Sequence, residues 1–179
     1  MSDPAPAAAV SQHAVDRLIR ELSQTDREAT PAEVDQIIER MATAPFDSQT
    51  YTVRTKHRGL TYLERSLGPR EPSLFYHLVK RVVAEEQWAY GTTESEYLTD
   101  LRDAVRSAAA RLVVYARRGG SIAVTLTPTS ATVPPERRTP ASLPLLLVVY
   151  SADRGMMISG YQISGLETAG IPQEARWLK

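Results

Sequence analysis

The sequence predicts an α+β fold in which about four N-terminal helices pack on one face of a C-terminal antiparallel β-meander of about four strands. Up to about residue 109, apolar residues recur at helical spacing, and from Arg111 onward they follow the spacing of β-strands. Helices therefore come first and strands last, without the alternation of strand and helix that a doubly wound sheet requires. We expect a single domain at residues 12–179, preceded by a disordered lead-in at residues 1–11.

Two helices are predicted at the start of this domain. The first covers about Gln12–Gln24, where apolar residues repeat every three or four positions. The second follows a capping box formed by Thr30 and Glu33, with proline at the first helical position, and it ends before Pro45. We expect the two helices to form a hairpin with an acidic outer face.

The middle of the chain is less regular. Residues 49–55 are rich in threonine and tyrosine and favour a short strand, after which glycines and prolines favour loops. A third helix is predicted at about Ser73–Trp88, with an apolar stripe on one face. A second capping box, at residues 93–96, starts a fourth helix at about Glu94–Ala109. The stretch at about residues 59–106 is treated as an insert without an assigned role.

Four strands are expected from Arg111 onward. Their predicted bounds are 111–117, 121–127, 145–150 and 156–162, and Gly119-Gly120 marks a tight hairpin between the first two. The third strand is a continuous apolar run, which predicts a central position in the sheet. The segment Arg176-Trp177-Leu178 is expected to pack back on the body of the domain.

The 21 basic and 21 acidic side chains cancel, but they are unevenly placed: the net charge is −5 over residues 1–48, +3 over 49–90 and +2 over 91–179. This is not the overall positive charge of a protein that coats DNA, but it permits a local cationic surface. The absence of cysteine excludes disulfides, thiolate zinc sites and cysteine nucleophiles. No segment has the pattern of a secretory signal or a membrane span, so we expect a cytoplasmic protein without membrane contact.

The strong catalytic motifs are missing from the sequence: there is no P-loop, dinucleotide-binding, zinc-protease or nucleophile-elbow pattern. The three histidines, at positions 13, 57 and 77, do not have the helical spacing of metal ligands. We therefore expect neither a metal nor a cofactor.

Three groups of histidine and basic residues remain as candidates. They are Arg54, Lys56, His57 and Arg58 in one short run, His77, Lys80 and Arg81 on one face of the third helix, and His13 and Arg17 one turn apart on the first helix. Histidine exchanges protons near neutral pH, and lysine or arginine holds phosphate. These residue types suit metal-free RNA cleavage, in which the 2′-hydroxyl of the RNA is the nucleophile. The alternative is that all three groups are solvated surface charge.

Two parts of the sequence carry a resemblance to a known family. They are residues 11–17 with residues 30–34, which begin the first two helices, and residues 146–150 with residues 155–161, which form the closing hairpin. Both resemble the barnase, EndoU, colicin-type and RelE-like superfamily of small bacterial ribonuclease and toxin domains. The resemblance implies helices before a four-stranded antiparallel sheet, and activity on RNA. It also implies that His13 and Arg17 match the His and Arg of the family's first helix, and that Ser159 and Tyr161 match polar positions of its last strand.

Our leading hypothesis is a metal-independent ribonuclease that acts on structured RNA. His57 or His77 is the expected general acid or base, with His13 as a further candidate, and Tyr161 is expected to orient the substrate. The expected substrate-binding residues are Arg17, Arg54, Lys56, Arg58, Lys80, Arg81 and Ser159. His57 and His77 match no position of the family and rest on chemistry alone.

The alternative hypothesis is a non-enzymatic interaction module, such as an immunity, antitoxin or adaptor protein, whose acidic helices bind a basic partner. The acidic residues that this hypothesis depends on are Asp16, Glu33, Asp35 and Glu39. The sequence leaves the partner and the oligomeric state open, including a dimer formed by pairing of sheet edges.

Overall fold

The structure, a computed structural model, describes residues 11–179 and confirms the α+β class. Its helices are α1 (Gln12–Gln24), α2 (Pro31–Thr43), α3 (Ser73–Val79) and α4 (Glu94–Arg106). Its strands are β1 (Thr50–Thr52), β2 (Thr61–Tyr62), β3 (Arg65–Ser66), β4 (Arg70–Pro72), β5 (Arg111–Arg117), β6 (Gly120–Pro128), β7 (Leu145–Ser151), β8 (Met156–Ile163) and β9 (Arg176–Trp177). The lead-in expected at residues 1–11 lies outside the described residues, except for Ser11.

Both predicted capping boxes are present. The Thr30 hydroxyl accepts a hydrogen bond from the backbone N–H of Glu33, whose carboxylate accepts one from the backbone N–H of Thr30. Thr93 and Glu96 repeat this arrangement at the start of α4. Each box satisfies backbone donors that a helix N-terminus otherwise leaves without partners.

The third helix is shorter than the sequence predicts. Its α-helical part ends at Val79 and continues as a π-turn over Lys80–Ala84. Glu86 then adopts a positive φ of 54°, which ends the helical path before Trp88. The wider π-turn changes the direction in which successive side chains leave the helix, so Lys80 and the buried Arg81 face different surroundings.

The main sheet has the strand order β8-β7-β6-β5-β9, and all of its pairs are antiparallel. The four predicted strands are present, and the hairpin at Gly119-Gly120 joins β5 to β6. The fifth strand, β9, is the C-terminal segment that was expected to pack back: Arg176 and Trp177 pair with Val114 and Val113 of β5.

The core consists of two layers, one on each face of this sheet. The main layer joins apolar side chains of all four helices to one face, including Leu112, Val148 and Tyr150. The opposite face, with Val113 and Leu147, is covered by Ala169 and other residues of the segment that leads to β9. The helices and this C-terminal segment therefore lie on opposite faces of the sheet.

The outer edge of β8 is occupied along its length. Met157 exchanges backbone hydrogen bonds with the segment after α2, accepting from the N–H of Asp47. The carbonyl of Gly160 accepts from the hydroxyl of Tyr97, and the side chain of Gln87 bonds both backbone groups of Gln162. This edge is therefore not free to pair with another strand.

Gly160 and a neighbouring bulge adapt β8 to the helices. A Cβ atom at Gly160 would lie 2.4 Å from the side chain of Leu101 on α4, so only glycine allows this approach. The bulge lies just before this glycine: Val149 pairs with Ser159 and Tyr150 with Met157, so Ile158 is the extra residue of β8.

The stretch at residues 59–106 is built into the domain. It contains the β2–β3 pair, α3 and α4, and also β4, which pairs with β1 before the stretch begins. The β2–β3 turn places two residues in the left-handed region, Leu63 with φ 49° and Glu64 with φ 61°. Side chains other than glycine, asparagine and aspartate rarely adopt this conformation, so the turn is strained.

Two buried carboxylates tie distant elements together. Asp100 is fully buried, receives both guanidinium hydrogen bonds of Arg137 and accepts a third from the indole of Trp88. Asp16 on α1 accepts from the guanidinium of Arg40 and from the hydroxyl of Tyr150, at 3.1 and 2.6 Å.

The turn between β7 and β8 packs against the group formed by Asp16, Arg40 and Tyr150. The carbonyl of Gly155 accepts a hydrogen bond from Arg40. Gly155 has a φ of +63°, and a Cβ there would lie 2.7 Å from the Arg40 Nη2 atom. The position therefore requires glycine for both its conformation and its close contact.

Candidate functional site

A cationic cluster forms where the loop after β1 meets the end of α3. Arg54, Lys56 and His57 lie in this loop, on a short 3₁₀ turn closed by backbone hydrogen bonds. Lys80 is the first residue of the π-turn. These four residues are called the His57 cluster below, and Arg58 is exposed at its border.

The positive charges of the His57 cluster act on one another. Burial lowers the pKa of His57, and the charges of Lys56, Arg54 and Lys80 lower it further. The pKa of Lys80 is lowered in the same way, by burial first and then by neighbouring positive charges, although a nearby carboxylate opposes the shift. At neutral pH this arrangement favours an uncharged imidazole beside a lysine that gives up its proton more readily than usual.

The cations of this surface have no ion-pair partner among the described residues. Among the ion pairs of residues 11–179, none involves Arg54, Lys56, Arg58 or Lys80. Other arginines are paired, as Arg154 is with the buried Asp47. Because these cations lie together without acidic partners, the surface attracts anions.

A narrow cleft lies between His57 and Lys80. It is lined by His57, Leu60, Leu67, Tyr76, Val79, Lys80 and Ala84. Tyr76 lies one helical turn before Lys80 and stacks on Tyr51, with ring centroids 5.3 Å apart and planes 13° apart. Sequence reasoning did not select Tyr76, although its spacing of four residues to Lys80 places both on one helix face.

The structure places His77 away from solvent. Its ring contacts those of Phe46, Tyr51 and Tyr76 in edge-to-face geometry, and neither ring nitrogen has a hydrogen-bond partner among the described residues. Burial, and then the positive charges of Arg81 and Lys80, lower the pKa of His77 to about 3. The imidazole is therefore neutral at pH 7 and does not face a substrate-accessible surface in this arrangement.

Arg81, Ser159 and Tyr161 lie together, as a second group separate from the cleft. The buried Arg81 donates to the carbonyl of Gly160 at 3.1 Å and forms an ion pair with Glu85 at 2.8 Å. Its guanidinium also lies 3.4 Å from the hydroxyl of Ser159 and 4.8 Å from the centre of the Tyr161 ring. In these contacts Arg81 holds the π-turn against β8, which leaves it less free than Lys80 to bind an added anion.

His13 and Arg17 lie on α1 and are both exposed. His13 borders a polar cleft that is shared with Asp16, Arg40 and the turn between β7 and β8. None of the residues that line this polar cleft belongs to the His57 cluster. The structure therefore separates the histidine candidates into three places.

The acidic surface of α1 and α2 carries less free charge than the sequence suggests. Asp16 is buried against Arg40, Glu33 is paired with Arg27, and Glu39 with Arg106. Hydrogen bonds from Arg27 and from the Thr30 backbone lower the pKa of Glu33 to about 2. Of the four acidic residues selected from the sequence, Asp35 alone forms no ion pair within the described residues.

The described part of the chain contains no cluster of three or more histidine, aspartate or glutamate side chains able to hold a metal ion. Among its helices, none combines the length and apolar character needed to cross a membrane. Comparisons with protein-family models, with curated proteins and with solved structures find no match to this chain.

Proposed function

We propose that the chain is a metal-independent ribonuclease-like protein that binds RNA through the His57 cluster. The observation that supports this proposal is that Arg54, Lys56, His57 and Lys80 lie close enough for their charges to act on one another. Two of them, His57 and Lys80, line one cleft. The polyanionic backbone of RNA is the ligand that such a surface attracts most strongly. Activity as a toxin domain in the bacterial cytoplasm belongs to the same proposal and rests on the family resemblance.

Two of the residues that line the cleft, His57 and Lys80, have complementary roles. His57, whose lowered pKa leaves it neutral at pH 7, accepts the proton of the RNA 2′-hydroxyl. The 2′-oxygen then bonds to the adjacent phosphorus while the bond from phosphorus to the 5′-oxygen breaks. Lys80 donates a proton to the leaving 5′-oxygen, which its lowered pKa favours. Arg54 and Lys56 stabilise the negative charge on the phosphate.

These roles predict a bell-shaped dependence of cleavage rate on pH. The rate is expected to rise as His57 loses its proton, at a pH below the ordinary value of 6.5. It is expected to fall again as Lys80 loses its proton, at a pH below the ordinary value of 10.5. Rates for wild type and Lys80→Arg across this range test the basic limb, which the arginine variant is expected to lose.

The direct test is cleavage of total RNA, and of RNA in translating ribosomes, in the presence of EDTA. Wild type is expected to cleave, His57→Ala to lose at least about 100-fold in rate, and Arg54→Glu/Lys56→Glu to lose RNA binding. Arg117→Glu/Arg118→Glu, at two exposed cations at the end of β5, changes the net charge by the same amount and should retain activity. Full activity of His57→Ala would refute the assigned base.

The interaction module proposed as the alternative receives less support, because three of its four acidic residues are paired within the chain. RNA binding without cleavage, by wild type in both preparations, would instead identify an RNA-binding module.

A further inference from the structure

We infer that a cleft beside Tyr90 binds a small organic cation, in which an ammonium group is attached to an apolar body. This Tyr90 cleft lies between the end of the π-turn and the loop that joins β6 to β7. Its volume is about 430 Å³, which lies within the range of roughly 300 to 1,000 Å³ for small-molecule sites. It shares no lining residue with the cleft beside His57, so its ligand is independent of RNA binding.

Most of the lining of the Tyr90 cleft is apolar. It includes Val82 and Val83 at the π-turn, the buried Trp88, and Pro140 and Ala141 of the loop. Such a surface binds the hydrocarbon part of a ligand, because the contact removes apolar surface of both partners from water. The cleft is therefore suited to an aliphatic or aromatic body.

Tyr90 presents an open aromatic ring at this cleft. The residue is 72% exposed. Among the described residues its ring has one aromatic neighbour, Tyr62, with centroids 5.2 Å apart and planes 79° apart. A single perpendicular contact covers at most one face of the ring, so the other face stays open. The face of a tyrosine ring attracts cations through its quadrupole.

Glu86 is the one charged residue among those that line the Tyr90 cleft. It is exposed, and its carboxylate forms no ion pair among the described residues. A cation in the cleft is attracted by this charge, whereas an anion is repelled by it. Charge complementarity therefore selects a cationic ligand over a neutral or anionic one of the same shape.

The backbone of Glu86 is strained, and the loop on the other side of the cleft holds it. Its φ of 54° lies in the left-handed region, which glycine usually occupies after a helix. The carbonyl of Glu86 accepts from the hydroxyl of Thr139 at 2.5 Å, and that of Gln87 from the hydroxyl of Ser142 at 3.0 Å. Strained residues of this kind are concentrated at ligand sites. Glycine would relieve the strain but would remove the carboxylate, which indicates a use for the side chain.

Two-dimensional amide NMR at low salt tests the inference with three probes that share one apolar body. They are phenylpropylammonium, the neutral phenylpropanol and the anionic phenylpropanoate. Amide signals from residues 82–90 and 139–141 report binding at the Tyr90 cleft, and shifts confined to other signals report binding elsewhere. The affinity of each probe follows from the dependence of these shifts on its concentration.

The variants separate the carboxylate from the ring. Glu86→Gln removes the charge and keeps the shape, Glu86→Gly also relieves the strain, and Tyr90→Ala removes the aromatic face. Glu64→Gln is the matched control, because Glu64 is another exposed glutamate at positive φ without an ion pair among the described residues. Thermal melting of each variant establishes that it folds, and Glu86→Gly should melt no lower than wild type.

The ammonium probe is expected to bind with a dissociation constant on the order of 1 mM, as suits a ligand of about ten non-hydrogen atoms. It should bind roughly 3- to 30-fold more tightly than the alcohol, because the alcohol lacks both the ion pair and the contact of a cation with the ring. Both Glu86 variants should weaken ammonium binding by roughly 2- to 5-fold and leave alcohol binding unchanged. Tyr90→Ala should weaken ammonium binding by a similar factor, and Glu64→Gln should match wild type.

Three results would overturn the inference. The first is binding of the alcohol or the carboxylate as tight as that of the ammonium probe. The second is the absence of shifts in the named signals at about 10 mM ammonium probe, tenfold above the expected dissociation constant. The third is wild-type affinity of both Glu86 variants, or an equal loss in Glu64→Gln. RNA binding and cleavage are measured separately, so the proposed function stands or falls on its own assays.

Discussion

The buried imidazole of His77 is expected to make the stability of the fold depend on pH. The folded protein holds this ring neutral, with a pKa of about 3, whereas in the unfolded chain the ring gains a proton near the ordinary value of 6.5. Below pH 6.5 the unfolded state therefore binds more protons, and protonation favours unfolding. The stability that the neutral His77 ring contributes is fully present above pH 6.5 and is lost as the pH falls toward 3.

The size of this effect follows from the linkage relation. Each pH unit between the two pKa values changes the free energy of unfolding by about 1.4 kcal/mol. From pH 7.5 to 4.5 His77 is therefore expected to remove roughly 2.7 kcal/mol of stability. Asp47, whose charge opposes the pKa shift of His77, has a lowered pKa of its own and stays ionised over most of this interval.

Urea unfolding at half-unit pH steps from 7.5 to 4.5 measures the effect. His77→Phe removes the titrating ring and both unpartnered nitrogens, so its stability should change less than that of wild type by roughly 2.7 kcal/mol. His77→Leu is the control for any change in stability that arises because the phenylalanine ring of the first variant overpacks the site. An equal loss of stability in wild type and both His77 variants would refute the reasoning.

Three further predictions concern stability and are measured by urea or thermal unfolding at pH 7. Gly155→Ala should destabilise by about 2 kcal/mol, because the new Cβ meets Arg40 at a positive φ; unchanged stability would contradict the contact. Asp100→Asn should cost about 3 kcal/mol, because it leaves the part-buried guanidinium of Arg137 without its counter-charge, and a loss below about 1 kcal/mol would show that the pair is not needed. Leu63→Asn/Glu64→Gly should stabilise the fold by roughly 1 kcal/mol, because this pair suits positive φ in a two-residue hairpin turn. A loss of stability would mean that contacts of the Leu63 side chain stabilise the fold by more than the backbone strain costs.

Local sequence signals predicted most of the elements of this fold. The two capping boxes located the starts of α2 and α4, and the Gly119-Gly120 pair located the β5–β6 hairpin, because these signals act within a few residues. The predicted end of α3 was wrong by several residues, because Arg81 in the π-turn bonds to a carbonyl of β8, which lies far along the chain.

The candidate site was predicted less well, for a related reason. The sequence places His77 and Lys80 on one polar helix face, but Phe46 and Tyr51 cover His77 and leave Lys80 beside the loop of His57. Helical spacing shows which residues share a face and not which segment covers it. Asp16 illustrates the same limit, because its partners Arg40 and Tyr150 are brought to it only by the tertiary fold.

The occupied edge of β8 has a consequence for how the protein can associate. An edge strand normally offers a template on which another chain can extend the sheet, and such templating starts domain swapping and fibril growth. Here the carbonyls and amides that would act as the template are bonded to the side chains of Tyr97, Arg81 and Gln87. For the edge-paired dimer left open by the sequence, the opposite end of the main sheet is the more open one, because β9 is short and leaves Ala116 and Arg117 of β5 outside its pairing.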